Sequence, residues 1–243
     1  MTKKLLYITG HSQGLGKAIF EHYLAHSEID LIGISRKKIG YSNSRVKEIS
    51  LNLSDLPALK TTLQSLFNFS GYEEISLINN AAWIGEIRSI EAQNPDSLEK
   101  AFKVNFLAPA LIMNSFLKAF KGAEIEKVIC NISSGLAYRP ESGLSSYCAS
   151  KAGLAMFTEV AALENHPGTR FFSLAPGIVD TPMQEDLRNT TEEEFPKSEM
   201  FKNFKEEGML SAPEEVAIKV KFLLDHPERF KEVVQDVRKF EMS

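Results

Sequence analysis

Cysteine is nearly absent from these 243 residues, occurring only at Cys130 and Cys148. Two thiols do not make the disulfide framework of a small secreted domain, and Cys148 reads as a small buried thiol. Long apolar runs are missing too. Two early lysines are followed by only four apolar residues, Leu5, Leu6, Tyr7 and Ile8, short of the roughly 7–15 of a signal peptide. No run nears the ~20 residues of a membrane span. There is no excess of positive charge: the net charge is -4 at pH 7, which argues against nucleic acid or an anionic membrane as partner. These absences lead us to expect a soluble cytoplasmic protein whose partner is a small molecule, with no metal. The remainder is ordinary, 43% hydrophobic and 25% charged, which excludes general disorder. A chain of this length buries roughly 70–75 % of its unfolded surface when it folds as one unit, and we expect a single domain over 1–243.

Along the chain, short apolar runs alternate with longer amphipathic stretches. The runs at 4–9, 30–35, 45–51, 74–79, 127–132, 170–175 and 231–237 read as strands. The stretches at 14–26, 55–68, 95–120 and 145–164 read as helices; Leu15, Ala18, Ile19 and His22 share one face of the first, and Pro95 opens the third. Strand–helix repetition demands crossover connections and hence parallel pairing. The expected fold class is α/β: a doubly wound, mostly parallel sheet of about seven strands with helices on both faces. One segment breaks the rhythm. Residues 177–211 carry Thr190-Thr191-Glu192-Glu193-Glu194, two prolines and scattered Phe and Met, and a long irregular insertion of this kind reads as a substrate lid.

In such sheets ligands bind beyond the carboxyl ends of the strands. The first strand runs into Thr9-Gly10-His11-Ser12-Gln13-Gly14-Leu15-Gly16. Glycines there let the backbone approach a pyrophosphate, and the helix that follows offers free N–H groups and a partial positive charge. NAD-binding chains place an acid about 20 residues on, for the ribose 2′-hydroxyl. Asp30 has that spacing but opens the second strand, at its wrong end. The carboxyl end is Ser35-Arg36-Lys37-Lys38, whose cations suit a 2′-phosphate. NADP(H) is therefore the expected cofactor.

The strongest local signal is Tyr147-Cys148-Ala149-Ser150-Lys151. Tyr147 and Lys151, at i and i+4, share a helical face. A nearby ammonium favours phenolate and lowers the tyrosine value from ~10, which would make Tyr147 a general acid near neutral pH. Asn131-Ile132-Ser133-Ser134-Gly135 ends the preceding strand and brings two hydroxyls to the same edge. Asn79-Asn80-Ala81-Ala82 ends the strand before, and Asn105 lies inside the long helix between them.

Together these residues resemble the short-chain dehydrogenase/reductase family, a Rossmann fold, from Lys4 to about Thr181. The resemblance implies a catalytic set of Asn105, Ser134, Tyr147 and Lys151. It implies cofactor contacts at Thr9, Gly10, Ser12, Gln13, Gly14, Leu15, Gly16, Ser35, Arg36, Asn52, Leu53, Asn80, Ala81, Ala82, Tyr147, Lys151, Pro176, Gly177, Val179 and Thr181. It further implies hydride transfer from the nicotinamide to a carbonyl carbon, with Tyr147 as acid and assembly as a homodimer or homotetramer. Three positions depart from the pattern. Ala82 replaces a usual glycine. Asn52 replaces an aspartate that meets adenine, though its amide oxygen is still an acceptor. Gln13 replaces a frequent cation, leaving Arg36 as the main 2′-phosphate contact.

The second half, including Pro176-Gly177-Ile178-Val179-Asp180-Thr181-Pro182-Met183-Gln184 and Asp236-Val237-Arg238-Lys239-Phe240, resembles the bacterial benzil reductases related to sepiapterin reductase. That implies NADPH-dependent reduction of a ketone or vicinal diketone in a mostly apolar pocket. Trp83, Leu136 and Met183 are its expected liners, with Tyr138 and Phe201 as further candidates. Asp236 matches a pterin-anchoring acid or is structural. Two alternatives stand beside this reading: an idle NADP(H)-binding regulator on the same fold, and an alcohol dehydrogenase working in the oxidative direction.

Overall fold

In the computed structural model, residues 3–67, 70–191, 195 and 197–242 are described. Seven strands form one sheet: β1 (Lys4–Thr9), β2 (Asp30–Ser35), β3 (Val46–Ser50), β4 (Glu74–Asn79), β5 (Glu126–Ile132), β6 (Thr169–Ala175) and β7 (Val234–Asp236). Their spatial order is β3-β2-β1-β4-β5-β6-β7, and all six neighbouring pairs are parallel. The expectation of a mostly parallel sheet is met in full. Strand order reverses between β1 and β4, and the crevice beyond their carboxyl ends is where such sheets bind ligands.

The period-2 alternation of β1 divides the core. Leu6 and Ile8 face one side, with Ile19 and Phe20 of α1 (Gly14–His26) and Val216, Val220 and Leu223 of α8 (Pro213–Asp225). Leu5 and Tyr7 face the other, with Leu59 and Leu63 of α2 (Leu56–Leu66) and Ile112 and Phe116 of α4 (Ala108–Ala119). Each such aliphatic or aromatic side chain contributes about 1.5–3 kcal/mol on burial, so the apolar stripe of α8 suffices to seat it beside α1. Tyr23 rather than His22 completes the buried face of α1. Among the described residues, no helix is long and apolar enough to cross a membrane.

Several boundaries differ from the sequence reading. The expected helix over 95–120 is α3 (Pro95–Phe102), a wide π turn at Lys103–Leu107, then α4. Pro109 explains the widening: it has no N–H for the carbonyl of Asn105, four residues earlier, and its ring crowds that carbonyl. The helix expected over 55–68 ends at Leu66, and Asn68 lies outside the described residues. The expected irregular segment holds α6 (Pro182–Arg188) and α7 (Ser198–Glu206), and α8, which the sequence reading did not name, follows it. The glutamates of its Thr-Thr-Glu-Glu-Glu cluster lie outside the described residues.

Candidate active site

The glycine-rich turn sits where the crevice opens. Gly10 and Gly14 have φ of 73° and 53°, in the left-handed region that favours glycine. A Cβ on Gly16 would overlap the Gly10 carbonyl oxygen and the Asn80 side-chain amide. Thr9 and Asn80 hold this turn. Thr9 Oγ1 accepts from the backbone N–H groups of Asn80 and Ala81, both at 3.0 Å, and Asn80 Nδ2 donates to the Thr9 carbonyl at 3.0 Å. The ends of β1 and β4 are thereby locked together. Gln13 caps α1 without a side-chain hydrogen bond, and the first turn carries no acid. Its amides therefore stay open to an anion, and the cradle fits a dinucleotide pyrophosphate.

The other expected cofactor residues fall along this edge. Ser12 is half-buried and Leu15 buried in the turn; Ser35 and Leu53 are buried where β2 and β3 end; Arg36 is exposed. Asn52 departs further than its sequence suggested. Its Oδ1 already accepts from the Ser54 N–H at 3.2 Å and the Ser54 hydroxyl at 2.9 Å, so its amide oxygen is turned to Ser54. The loop after β6 closes the opposite side. Gly177, with φ 76°, turns the chain after Pro176, and Thr181 packs against Gly14. Val179 bridges to Ser211, and Ala82 is half-buried beside Ala81.

Tyr147, Ser150 and Lys151 project from the first turns of α5 (Ser145–Leu163). The helix is set by a chain of buried amides: Asn79 Nδ2 donates to Asn131 Oδ1 at 2.8 Å, and Asn131 Nδ2 to Thr158 Oγ1 at 2.7 Å. Lys151 Nζ donates to the Ile132 carbonyl at 2.7 Å and lies 5.8 Å from the centre of the Tyr147 ring. Asn105, in the π turn, is 1% exposed and pairs with the backbone of Trp83. Its Nδ2 also donates to Ser150 Oγ at 3.1 Å, and that hydroxyl donates to the Tyr147 carbonyl at 3.0 Å. Ser150 thus links Asn105 to the backbone of Tyr147. The sequence reading passed over it, although it stands next to Lys151.

Ser134 rather than Ser133 belongs with Tyr147. Ser133 Oγ is buried without a partner, whereas Ser134 lies near enough to the Tyr147 phenol to pull its value down, and its hydroxyl accepts from the Leu136 N–H at 3.1 Å. The expected fall in the Tyr147 value is not seen. Burial pushes the phenol up to about 12 against the pull of Ser134. Burial likewise brings Lys151 down from 10.5 to about 8. The lysine is aimed at a backbone carbonyl, so desolvation outweighs its attraction for the phenolate.

Trp83 lines a cavity of about 230 Å³ with Ile84, Gly85, Glu86, Ile87, Arg88, Asp186 and Thr190. Glu86, Arg88 and Asp186 make it polar, and Ser134, Tyr147 and Lys151 do not line it. Leu136 and Met183 do not line it; they pack on the apolar cluster that contains Tyr147, Leu144, Leu187 and Phe201. Tyr138 is 53% exposed and stands apart. Asp236 accepts from the Arg238 backbone and guanidinium, which accounts for it structurally.

The profile of the family described as short chain dehydrogenase matches residues 4–192. The chain belongs to that family. This short-chain dehydrogenase is 34% identical over 238 residues to a benzil reductase ((S)-benzoin forming) of Bacillus cereus, covering 93% of this chain and 95% of the relative. A sepiapterin reductase of Bos taurus is 33% identical over 124 residues, covering 50% and 46%. Among solved structures, a 4-hydroxyisoleucine dehydrogenase complexed with NADH superposes with a TM-score of 0.81 at 22% identity, covering 96% of both chains. The short-chain dehydrogenase is accordingly an oxidoreductase of a family that works with a nicotinamide cofactor.

Proposed function

We propose that this enzyme is an NADPH-dependent reductase of ketones and vicinal diketones, benzil-like or sepiapterin-like. The observation that carries the reading is the joining of Tyr147, Ser134 and Lys151 at the crevice beyond β4 and β5. A likeness to a benzil reductase over nearly the whole chain supports the substrate class.

The cofactor residues divide by position. Gly10, Gly14 and Gly16 with the start of α1 would hold the pyrophosphate, Arg36 and its neighbours the 2′-phosphate, and Asn80 to Ala82 with Pro176, Gly177, Val179 and Thr181 the nicotinamide end. When bound, the reduced nicotinamide supplies a hydride to the carbonyl carbon. The chain's own residues do the rest. Ser134 Oγ donates to the carbonyl oxygen and fixes its position. Tyr147, a phenol protonated at neutral pH, transfers its proton to that oxygen as the C–O bond gains charge. The product is an alcohol, and the phenolate left behind is stabilised by Ser134 and by the Lys151 ammonium. Asn105 keeps the strand end beside Trp83 in place.

Segment 177–211 is the lid in this reading. Asp180 pairs with Arg188 of α6 and Lys205 of α7, and Lys197 pairs with Glu141 ahead of α5. The exposed apolar stripe Met156, Phe157, Val160 and Leu163 on α5 is the face on which a second copy would pack. The deciding assay is consumption of NADPH, with NADH in parallel, against benzil, 1-phenyl-1,2-propanedione, sepiapterin and an aliphatic ketone. Preferential turnover of the aromatic diketones with NADPH is expected; turnover only of the aliphatic ketone, or only with NADH, would overturn the reading.

A further inference from the structure

Glu48 lies on β3, away from the catalytic groups, yet it is the most heavily hydrogen-bonded carboxylate at the adenosine end of the crevice. Its side chain is only 7% exposed. Oε1 accepts from His11 Nε2 at 2.8 Å and from the Ile39 N–H at 2.7 Å; Oε2 accepts from the N–H groups of Gly40 and Tyr41 at 2.7 and 3.1 Å. Burial alone would raise its value, but the bonds from His11 and the three amides hold it down to about 2. It is therefore a fixed anion across the working pH range.

His11 belongs to the glycine-rich turn and is fully buried. Its ring fills the space left by Gly33 on β2, where a Cβ would come within 2.5–2.7 Å of it. It packs on Phe20 with ring centres 5.1 Å apart, and Tyr41 stacks on Phe20 at 5.1 Å. The Tyr41 hydroxyl donates to Glu21 Oε1 at 3.2 Å. Segment 39–41 is thus tied both to the glycine-rich turn and to α1.

What this knot holds is the stretch just before it. Arg36, Lys37 and Lys38 are exposed, and among the described residues none pairs with their side chains. Their backbone is pinned instead: the Ser50 hydroxyl donates to the Arg36 carbonyl at 3.0 Å, and the Ser35 hydroxyl to the Lys37 carbonyl. Three cations with open donors thus ride on a backbone fixed at both ends, which is how an anion site is prepared in advance.

We propose that Glu48, through His11 and the amides of residues 39–41, is a positioning residue that holds Arg36, Lys37 and Lys38 in place for the 2′-phosphate of NADPH. The inference rests on the NADPH reading and deepens it: discrimination between NADPH and NADH would depend on a buried carboxylate that never touches the cofactor. A purely structural carboxylate would affect both cofactors alike, and this difference makes the proposal testable.

The experiment is calorimetric binding of 2′,5′-ADP and of 5′-ADP to the wild-type protein and to Glu48→Gln, with melting temperature as a control. Glutamine keeps the shape of the side chain but replaces one accepting oxygen with a donor. Wild type should bind 2′,5′-ADP more tightly than 5′-ADP. In Glu48→Gln the affinity for 2′,5′-ADP should fall roughly tenfold, while that for 5′-ADP changes by less than about twofold. The KM for NADPH should rise without a matching change in kcat. Equal binding of both nucleotides by wild type would show that the NADPH reading has failed, and the proposal with it. A wild-type preference left unaltered in Glu48→Gln, or equal losses for both nucleotides, would overturn the proposal alone. If Glu48→Gln does not fold, Tyr41→Leu, which removes the stacking on Phe20 and the bond to Glu21, must show the same selective loss.

Discussion

The side-chain amide of Asn105 closes on the backbone of Trp83 from both directions, accepting from its N–H and donating to its carbonyl, each at 2.8 Å. The π turn makes this possible, because it carries Asn105 inward from the middle of a helical stretch, where an asparagine has no intrinsic advantage. The amide therefore sets the position of the indole that lines the cavity. The Lys100 ammonium, 4.1 Å from the indole ring centre, covers the indole as well.

Asn105→Leu should consequently act on the carbonyl substrate rather than on the cofactor. It leaves two backbone groups and the Ser150 hydroxyl short of a partner, at about 1–3 kcal/mol for each buried group that finds no replacement. Steady-state kinetics should show kcat/KM for benzil reduced on the order of 10²-fold, with the dissociation constant for NADPH unchanged. A parallel loss of NADPH affinity would mean that Asn105 supports the cofactor cradle instead.

Lys151 should cost the protein stability. Its value falls from 10.5 to about 8 on burial, equivalent to ~3 kcal/mol. The hydrogen bond from its ammonium to the Ile132 carbonyl returns about 1.5–3 kcal/mol. Below pH 8 the lysine is charged in both folded and unfolded chains, so the folded state bears the whole penalty. Between pH 8 and 10.5 the folded lysine sheds its proton while the unfolded one keeps it, and this group then adds stability as pH rises. Lys151→Met should therefore be inactive yet melt no lower than wild type at pH 7, and up to about 6 °C higher. The gap should narrow as the pH is raised from 8 to 10. A variant that melts lower at pH 7 would show that the hydrogen bond outweighs desolvation.

Gly16→Ala tests the cofactor turn. The new methyl would overlap the Gly10 carbonyl oxygen and the Asn80 amide, and both groups belong to the network that joins β1 to β4. NADPH binding, followed by the fluorescence of the reduced nicotinamide, should weaken by more than about tenfold. Retained affinity would show that the turn relaxes without loss.

Much of this was legible in the sequence. The bounds of β1, β2, β4 and α1 follow from apolar runs closed by polar or glycine residues. Tyr147 and Lys151 share a helical face by spacing, and the family resemblance singles out Ser134 from the two hydroxyls at the end of the preceding strand. The rest depends on contacts between distant segments. Glu48 reads as a polar residue on an exposed strand until His11, 37 positions earlier, is placed beside it. Only Gly33 hints at the space that the imidazole needs. The π turn has a local signal in Pro109, which cannot donate to the Asn105 carbonyl. The raised Tyr147 value was hidden for a different reason: spacing brings an ammonium near a phenol but does not say how dry the surroundings are.

The central claim is that Tyr147 gives the proton to the carbonyl oxygen. The most direct measurement uses one preparation of Tyr147→Phe for two readings, NADPH binding by fluorescence and NADPH consumption with benzil. Phenylalanine keeps the ring in its apolar cluster and removes only the hydroxyl, so binding should match wild type while turnover falls by at least about 10²–10⁴-fold. Binding intact with turnover also intact would contradict the account.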